Sequence, residues 1–271
     1  MLRIFILAFS LASYLLFLLV FLYLLGFLAN IQTTALAEHW PVLGLLVPIS
    51  IDYGREVATP LLAFGIDLGL IALFGLQHSI MARQGFKRWW TRWVPAAAER
   101  AVYVLVSSLV LMFFMWQWRP IPAPVLWQAD ALWSNALGWS VLALGVAILL
   151  FATFLIDHFE LFGLKQAWCE FRAQAMRAPK FATPLLYRIV RHPIYAGWLL
   201  IFWGTPFLTA GHLLFALGMS SYIFMAIPFE ERDLIAFHGD EYRRYKEQVP
   251  MVCPVRGRAR NQQGKLKAEG L

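Results

Sequence analysis

The chain has 271 residues, 60% of them hydrophobic and 14% charged, with a net charge of +7. A soluble domain carries roughly 25% charged residues, so this chain has too few polar groups to cover a globular surface. Composition therefore excludes an ordinary soluble protein and points to lipid as the solvent for the apolar excess.

A bilayer core of about 30 Å takes roughly 20 apolar residues in a helix. Residues 4–29 form an uncharged run, too long for a signal-peptide core and without a clean small-residue cleavage site after it. The stretch 41–51 is apolar but too short to span, and is expected to be an interfacial loop. Residues 58–80 are apolar apart from Asp67 and a polar end at Gln77, His78 and Ser79. Residues 101–118 and 135–157 supply two more spans. The short runs 193–209 and 211–228, joined around Pro206 and Gly211, predict a tight helical hairpin that either crosses fully or re-enters. The expected fold is all-α: a polytopic bundle of about six membrane segments, forming one domain over 1–254. A basic tail, expected to be mobile, occupies 255–271.

Orientation follows from Lys and Arg. With the N-terminus cytoplasmic, twenty-one of the 23 basic residues fall in the segments 1–3, 81–100, 158–192 and 229–271. The opposite loops hold only Arg55 and Arg119. This asymmetry predicts both termini in the cytoplasm and six crossings rather than five. The positive charge therefore reads as membrane topology with some attraction to anionic headgroups, and its division among loops speaks against nucleic acid. Cys169 and Cys253 both fall on the cytoplasmic side, where a disulfide is not expected, and no metal-ligand spacing is present.

Ionisable residues at membrane depth are functional candidates. Gln77-His78 closes the second span, Asp157-His158 closes the fourth, Arg191-His192 opens the fifth, and Glu230-Glu231-Arg232-Asp233 closes the sixth. All four groups are expected at the cytoplasmic rim. Each alone reads as well as a cap or a snorkelling side chain; together they suggest a site for a polar ligand. Asp67 lies eleven residues before His78, about 16 Å along the helix, and is expected to make an interhelical hydrogen bond.

The C-terminal third carries a resemblance. Arg191-His192-Pro193-Ile194-Tyr195-Ala196-Gly197 is followed by Glu230-Glu231-Arg232-Asp233-Leu234, then Phe237, Gly239, Tyr242, Tyr245, Val249-Pro250 and Pro254. This pattern over 187–254 resembles the isoprenylcysteine carboxyl methyltransferase superfamily of membrane enzymes, which use S-adenosylmethionine. Membrane sterol reductases that bind NADPH carry a related segment, but with an Arg-Asp and Arg-Cys arrangement where this chain has Glu230-Glu231. In the front half, Gln77-His78-Ser79-Ile80-Met81-Ala82-Arg83, Phe86-Lys87, Trp89-Trp90, Pro95, Glu99-Arg100 and Tyr103 are similar to the NnrU-type and methanethiol S-methyltransferase branch. So are Val47-Pro48-Ile49-Ser50-Ile51-Asp52 and Gln117-Trp118-Arg119-Pro120, although Ile49 stands where the branch leads one to expect Lys.

The resemblance implies methylation of a small thiol, methanethiol to dimethyl sulfide, with S-adenosylmethionine as donor, in a bacterial inner membrane. It implies a donor site made of Arg191, His192, Tyr195, Gly197, Trp198, Glu230, Glu231 and Arg232. Arg191 has the fork suited to the donor's carboxylate. Glu230 or Glu231 would accept from its amino group or ribose hydroxyls, and Trp198 would face its sulfonium. Gln77, His78 and Asp157 are the expected acceptor-side residues. His78 is the first candidate for the base and His192 the second, while Tyr242 and Tyr245 are expected to pack the C-terminal helix beneath the pocket. Three other readings stay open: a related methyltransferase acting on a carboxylate, amine or another thiol; an NADPH-dependent membrane reductase; and a non-catalytic carrier.

Overall fold

A computed structural model describes residues 1–176 and 181–255; most of the tail expected at 255–271 lies outside the described residues. In chain order the elements are α1 (Leu2–Leu28), a 3-10 turn (Ile31–Thr33), α2 (Ala35–His39), α3 (Pro41–Leu46), α4 (Pro60–Ala82), α5 (Gln84–Trp90), α6 (Ala96–Gln117) and β1 (Val125–Gln128). There follow α7 (Leu132–Leu155), α8 (His158–Leu161), α9 (Leu164–Phe171), α10 (Leu186–Ile189), α11 (Pro193–Trp203), β2 (Phe207–Thr209), α12 (Ala210–His238) and α13 (Asp240–Gln248). Five of these, α1, α4, α6, α7 and α12, are long and apolar enough to cross a membrane. The expected helical bundle is the observed fold.

The helix limits follow local chemistry. Thr59 caps α4 by accepting from the Leu62 amide, with Pro60 in the first turn, where its missing N–H costs nothing. α7 stops at Leu155 because Asp157 takes a positive φ of 84° and starts α8 instead, its carboxylate accepting from the Glu160 amide. The span expected to run to 157 is thus two residues shorter. The stretch 41–51, expected to be a loop, is helical over Pro41–Leu46 and then turns through a Ser50–Tyr53 bridge.

The last pair of segments departs most from expectation. α11 has eleven residues and rises only about 16 Å, while α12 continues past Pro228 to His238. α11 still connects the two rims of the bundle. It begins at His192, beside Glu231. Beyond its end, Phe207–Thr209 pairs antiparallel with Val125–Gln128 of the opposite loop, and the Gly211 amide reaches the Ile121 carbonyl. Extended chain thus completes the crossing. Non-helical backbone at such depth needs partners: the Ala129 amide donates to the Pro206 carbonyl, and buried His212 contacts the Phe202 carbonyl through Nε2 at 2.9 Å.

Two features join the bundle. α11 lies on α7 along a seam of glycines, Gly138 and Gly145 facing Gly197 and Gly204. A Cβ built on Gly145, Gly197 or Gly204 would stand within 2.9 Å of backbone on the facing helix, and one on Gly138 within 2.9 Å of the Thr205–Pro206 backbone just past α11. Small residues of this kind let membrane helices approach closely. At the rim away from His78, the Asp52 carboxylate accepts from Asn30 at 2.8 Å and Thr209 at 2.6 Å, tying the end of α1 to the start of α12. Burial pushes the Asp52 carboxyl up to about 6 despite these bonds. Asp67 is fully buried, and its Oδ1 accepts from the Arg119 backbone amide at 2.9 Å, the expected interhelical bond with a main-chain donor. Gly204→Ala places a methyl 2.5 Å from the Leu142 amide nitrogen and is expected to destabilise the protein by about 1–3 kcal/mol, read as a lower melting temperature in detergent.

Candidate functional site

The chemistry gathers at the rim where the basic residues lie. A cavity of about 810 Å³ opens there, walled by α1, α4, α6, α7, α11, α12 and α13. That size suits a small-molecule site. Its mouth carries Arg83, Arg100, Asp157, Tyr187, Glu230 and Asp233; its interior is aromatic and aliphatic, with Phe17, Phe21, Phe74, Leu149 and Trp198. One compartment therefore joins a charged entrance to an apolar end inside the bundle.

Beneath the mouth sits a buried ionic knot. Glu231, 2% exposed, accepts from Arg191 Nε at 2.8 Å and Lys246 Nζ at 2.6 Å, and meets His192 Nε2 at 3.2 Å. Arg191 Nη1 also donates to the carbonyls of Lys246 and Val249. The amides of Arg191 and His192 donate to Pro250 and Met251. This knot fastens α12, the entrance to α11 and the C-terminal segment together.

Two histidines line the cavity in similar settings. His78 Nε2 lies 2.7 Å from the Tyr103 hydroxyl and Nδ1 lies 3.3 Å from Ser107 Oγ, while its ring stacks on Phe74. His158 Nε2 lies 2.8 Å from the Tyr14 hydroxyl and Nδ1 lies 2.8 Å from Thr153 Oγ1. Thr153 spends its own proton on the Leu150 carbonyl, so it accepts from His158 Nδ1–H. His158 Nε2 is then the acceptor for Tyr14. Burial lowers the His158 pKa, offset in part by neighbouring Asp157, and the ring is held neutral.

The charged mouth is balanced. Burial raises the Asp157 carboxyl, but hydrogen bonds from Lys165 and the Glu160 amide outweigh it and hold the group below the usual carboxylate range. Asp157 is therefore a fixed anion, and its two carboxylate partners hold Lys165 protonated. Arg100 donates from Nε to the Leu161 carbonyl at 2.7 Å and lies 5.1 Å over the Tyr103 ring. Arg83 reaches Asp233 at 3.4 Å. Glu230 lines the cavity, and its Oε2 is buried with no hydrogen-bond partner among the described residues. Burial raises the hydroxyls of Tyr187 and Tyr245, the latter to about 12, so both stay protonated.

The residues named from sequence divide into two sets. His78, Asp157, Arg191, His192, Tyr195, Trp198 and Glu230 line the cavity. Gln77, Gly197, Glu231 and Arg232 do not. Gln77 donates to Ser107 Oγ behind His78, at 3.4 Å. Gly197 serves the seam with α7. Arg232 lies over the Phe229 ring, and Glu231 is the centre of the knot. Arg191 reaches the cavity, but its Nε and Nη1 are taken by Glu231 and two carbonyls. Tyr242 and Tyr245, expected beneath the pocket, line it as well. The sequence places His158 in the rim group without a specific role, and gives none to Arg100, Tyr103, Ser107 or Tyr222. Their only early signal was the similarity around Glu99-Arg100 and Tyr103 and the polar end of the fourth span. Glu231→Gln leaves a buried guanidinium without its counter-charge and is expected to cost about 3–5 kcal/mol of stability. Thermal unfolding and faster proteolysis after residue 249 would report the loss.

No family model and no solved structure matches the chain. Curated proteins do. It is 47% identical to methanethiol S-methyltransferase 2 of Bradyrhizobium diazoefficiens over 255 residues, 93% of this chain and 91% of that protein. It is 45% identical to methanethiol S-methyltransferase of Mycobacterium tuberculosis over 243 residues, 90% of this chain and 93% of that one. Nurim of Sus scrofa is 34% identical over 177 residues, 62% of this chain and 66% of that protein.

Proposed function

The chain belongs to the methanethiol S-methyltransferase family, and from that premise we propose that it methylates methanethiol to dimethyl sulfide in this cavity, with S-adenosylmethionine as donor. It is an integral membrane protein. The bias of basic residues supports a cavity mouth and both termini in the cytoplasm, and the bacterial methanethiol S-methyltransferases that the chain resembles support a bacterial inner membrane. The observation that carries the reading is the continuity of the cavity: a charged mouth for a water-soluble donor meets an apolar interior for a small thiol.

The mouth fits the donor's groups. Glu230, whose Oε2 makes no hydrogen bond among the described residues and lies 3.8 Å from His192 Nδ1, and the fixed anion Asp157 provide acceptors for an ammonium or ribose hydroxyls. Arg100 takes the carboxylate role, since Arg191 is committed to Glu231 and the C-terminal carbonyls. His192 and Tyr195, stacked 5.5 Å apart, flank the entrance to α11. Trp198, expected to face the sulfonium, belongs to the apolar interior of the cavity. When bound, S-adenosylmethionine supplies an electrophilic methyl group on a sulfonium.

The chain's task is to prepare the thiol. A thiol of ordinary acidity, with a pKa of about 8.5 for cysteine, is mostly protonated near neutrality, and the thiolate is the nucleophile. Tyr103 and His78 form a relay for that proton: the thiol gives its proton to the Tyr103 oxygen as Tyr103 passes its own to His78 Nε2, 2.7 Å away. Ser107 Oγ then accepts from His78 Nδ1–H and holds the ring. Sulfur attacks the methyl carbon as the carbon–sulfonium bond breaks, and opposite charges cancel. The apolar walls keep water from solvating the thiolate.

The test is a headspace assay on purified protein in detergent, measuring dimethyl sulfide from methanethiol with and without S-adenosylmethionine. Product is expected only when both the donor and the protein are present. His78→Ala is expected to cut kcat by about 10²-fold or more while donor binding by calorimetry persists. Unchanged turnover in that variant would remove His78 from the relay.

A further inference from the structure

The face of α6 that enters the cavity changes character with depth. Arg100 and Tyr103 stand toward the mouth, Ser107 stands beside His78, and Leu111 lies one turn deeper. Four residues of helix carry the wall about 6 Å beyond Ser107. Phe21, Leu149 and Trp198 line the same cavity. Phe21 and Leu149 belong to the buried core, and the rings of Phe21 and Trp198 meet edge to face at 5.8 Å. Ser108, at the same level, donates its proton to the Val104 carbonyl of its own helix. Past His78 and Ser107 the wall is therefore hydrocarbon and aromatic carbon.

An in-line displacement fixes which way the acceptor lies. The attacking sulfur, the methyl carbon and the leaving sulfur share one line, with the leaving group on the mouth side. With the acceptor sulfur at the Tyr103–His78 pair, its alkyl group points away from the mouth, toward the wall that carries Leu111. The single carbon of methanethiol is shorter than the stretch of helix, about 6 Å, that separates Leu111 from Ser107.

We propose that the acceptor class includes unbranched alkanethiols of two to four carbons, methylated to alkyl methyl thioethers, with Leu111 setting the chain length. This rests on the methanethiol reading and on the Tyr103–His78 relay. The balance is the same for each acceptor: the S–H proton passes to that relay, a sulfur–methyl bond forms, the sulfonium carbon–sulfur bond breaks, and S-adenosylhomocysteine leaves.

The experiment uses the full chain in detergent with S-adenosylmethionine and a series of methane-, ethane-, 1-propane- and 1-butanethiol, each thioether being quantified by gas chromatography. KM is expected to fall about fourfold per added methylene, the worth of burying one such group. Leu111→Phe is expected to lower the ratio of kcat/KM for 1-propanethiol over methanethiol by roughly tenfold, and Leu111→Ala to raise the same ratio for 1-butanethiol. Turnover of methanethiol with rejection of ethanethiol and 1-propanethiol would overturn the proposal, as would ratios unmoved in both variants. Failure to methylate methanethiol itself would instead strike the underlying reaction, and the proposal with it.

Discussion

A carboxylate buried at the end of a membrane helix organises the working half of this protein. Glu231 has no water to solvate it, so its charge must be met by protein. Adjacent Arg191 and His192, at the start of α11, and Lys246, on α13, meet it. The knot consequently fixes α12, the start of α11 and α13 relative to one another. Arg191 extends the constraint to the carbonyls of Lys246 and Val249. The walls of the cavity mouth, with Glu230, Tyr187 and Tyr245, hang from that frame. Glu230 directly precedes Glu231 on α12, so fixing the one places the other at the cavity wall, with its Oε2 3.8 Å from His192 Nδ1.

The bundle above this frame is held by different physics. Without a hydrophobic gain from bringing helices together inside lipid, close approach and internal hydrogen bonds must serve. The glycine seam lets α7 and α11 touch backbone to backbone. At the far rim, Asp52 and Asp67 accept from Asn30, Thr209 and the Arg119 amide. Trp198 of α11 and the core residues Phe21 and Leu149 line the cavity inside the bundle. A charged entrance and an apolar interior thus coexist in one compartment, as a reaction between a soluble cation and a volatile thiol requires.

Much of this was legible in sequence, for physical reasons. Apolar runs of about 20 residues betray spans because lipid allows little else, and the Lys and Arg asymmetry marked the rim where the cavity opens. Hydropathy could not mark the helix stop at Trp203: Phe207 and Leu208 extend the run to 209, whereas the stop lies in the Gly204-Thr205-Pro206 punctuation. Nor could it separate Glu230 from Glu231: adjacent carboxylates lie on different sides of one helix, and the fold turns one to the cavity and the other to the knot. Arg191 reads as a ligand-binding arginine until its partners are known. Tyr103 and His158 gain meaning only through His78 and Tyr14, which lie 25 and 144 residues away. The relation that survived all these revisions was the grouping of His78, Asp157, His192 and Glu230 at one rim.

Catalysis by the relay depends on where the donor sits relative to Tyr103 and His78. A crystal structure of the protein with S-adenosylhomocysteine bound tests this directly. The amino-acid end of the ligand is expected between Arg100, Asp157 and Glu230, with the thioether sulfur facing the Tyr103–His78 pair. A ligand seated outside this cavity, or one whose sulfur is walled off from Tyr103 and His78, would contradict that placement.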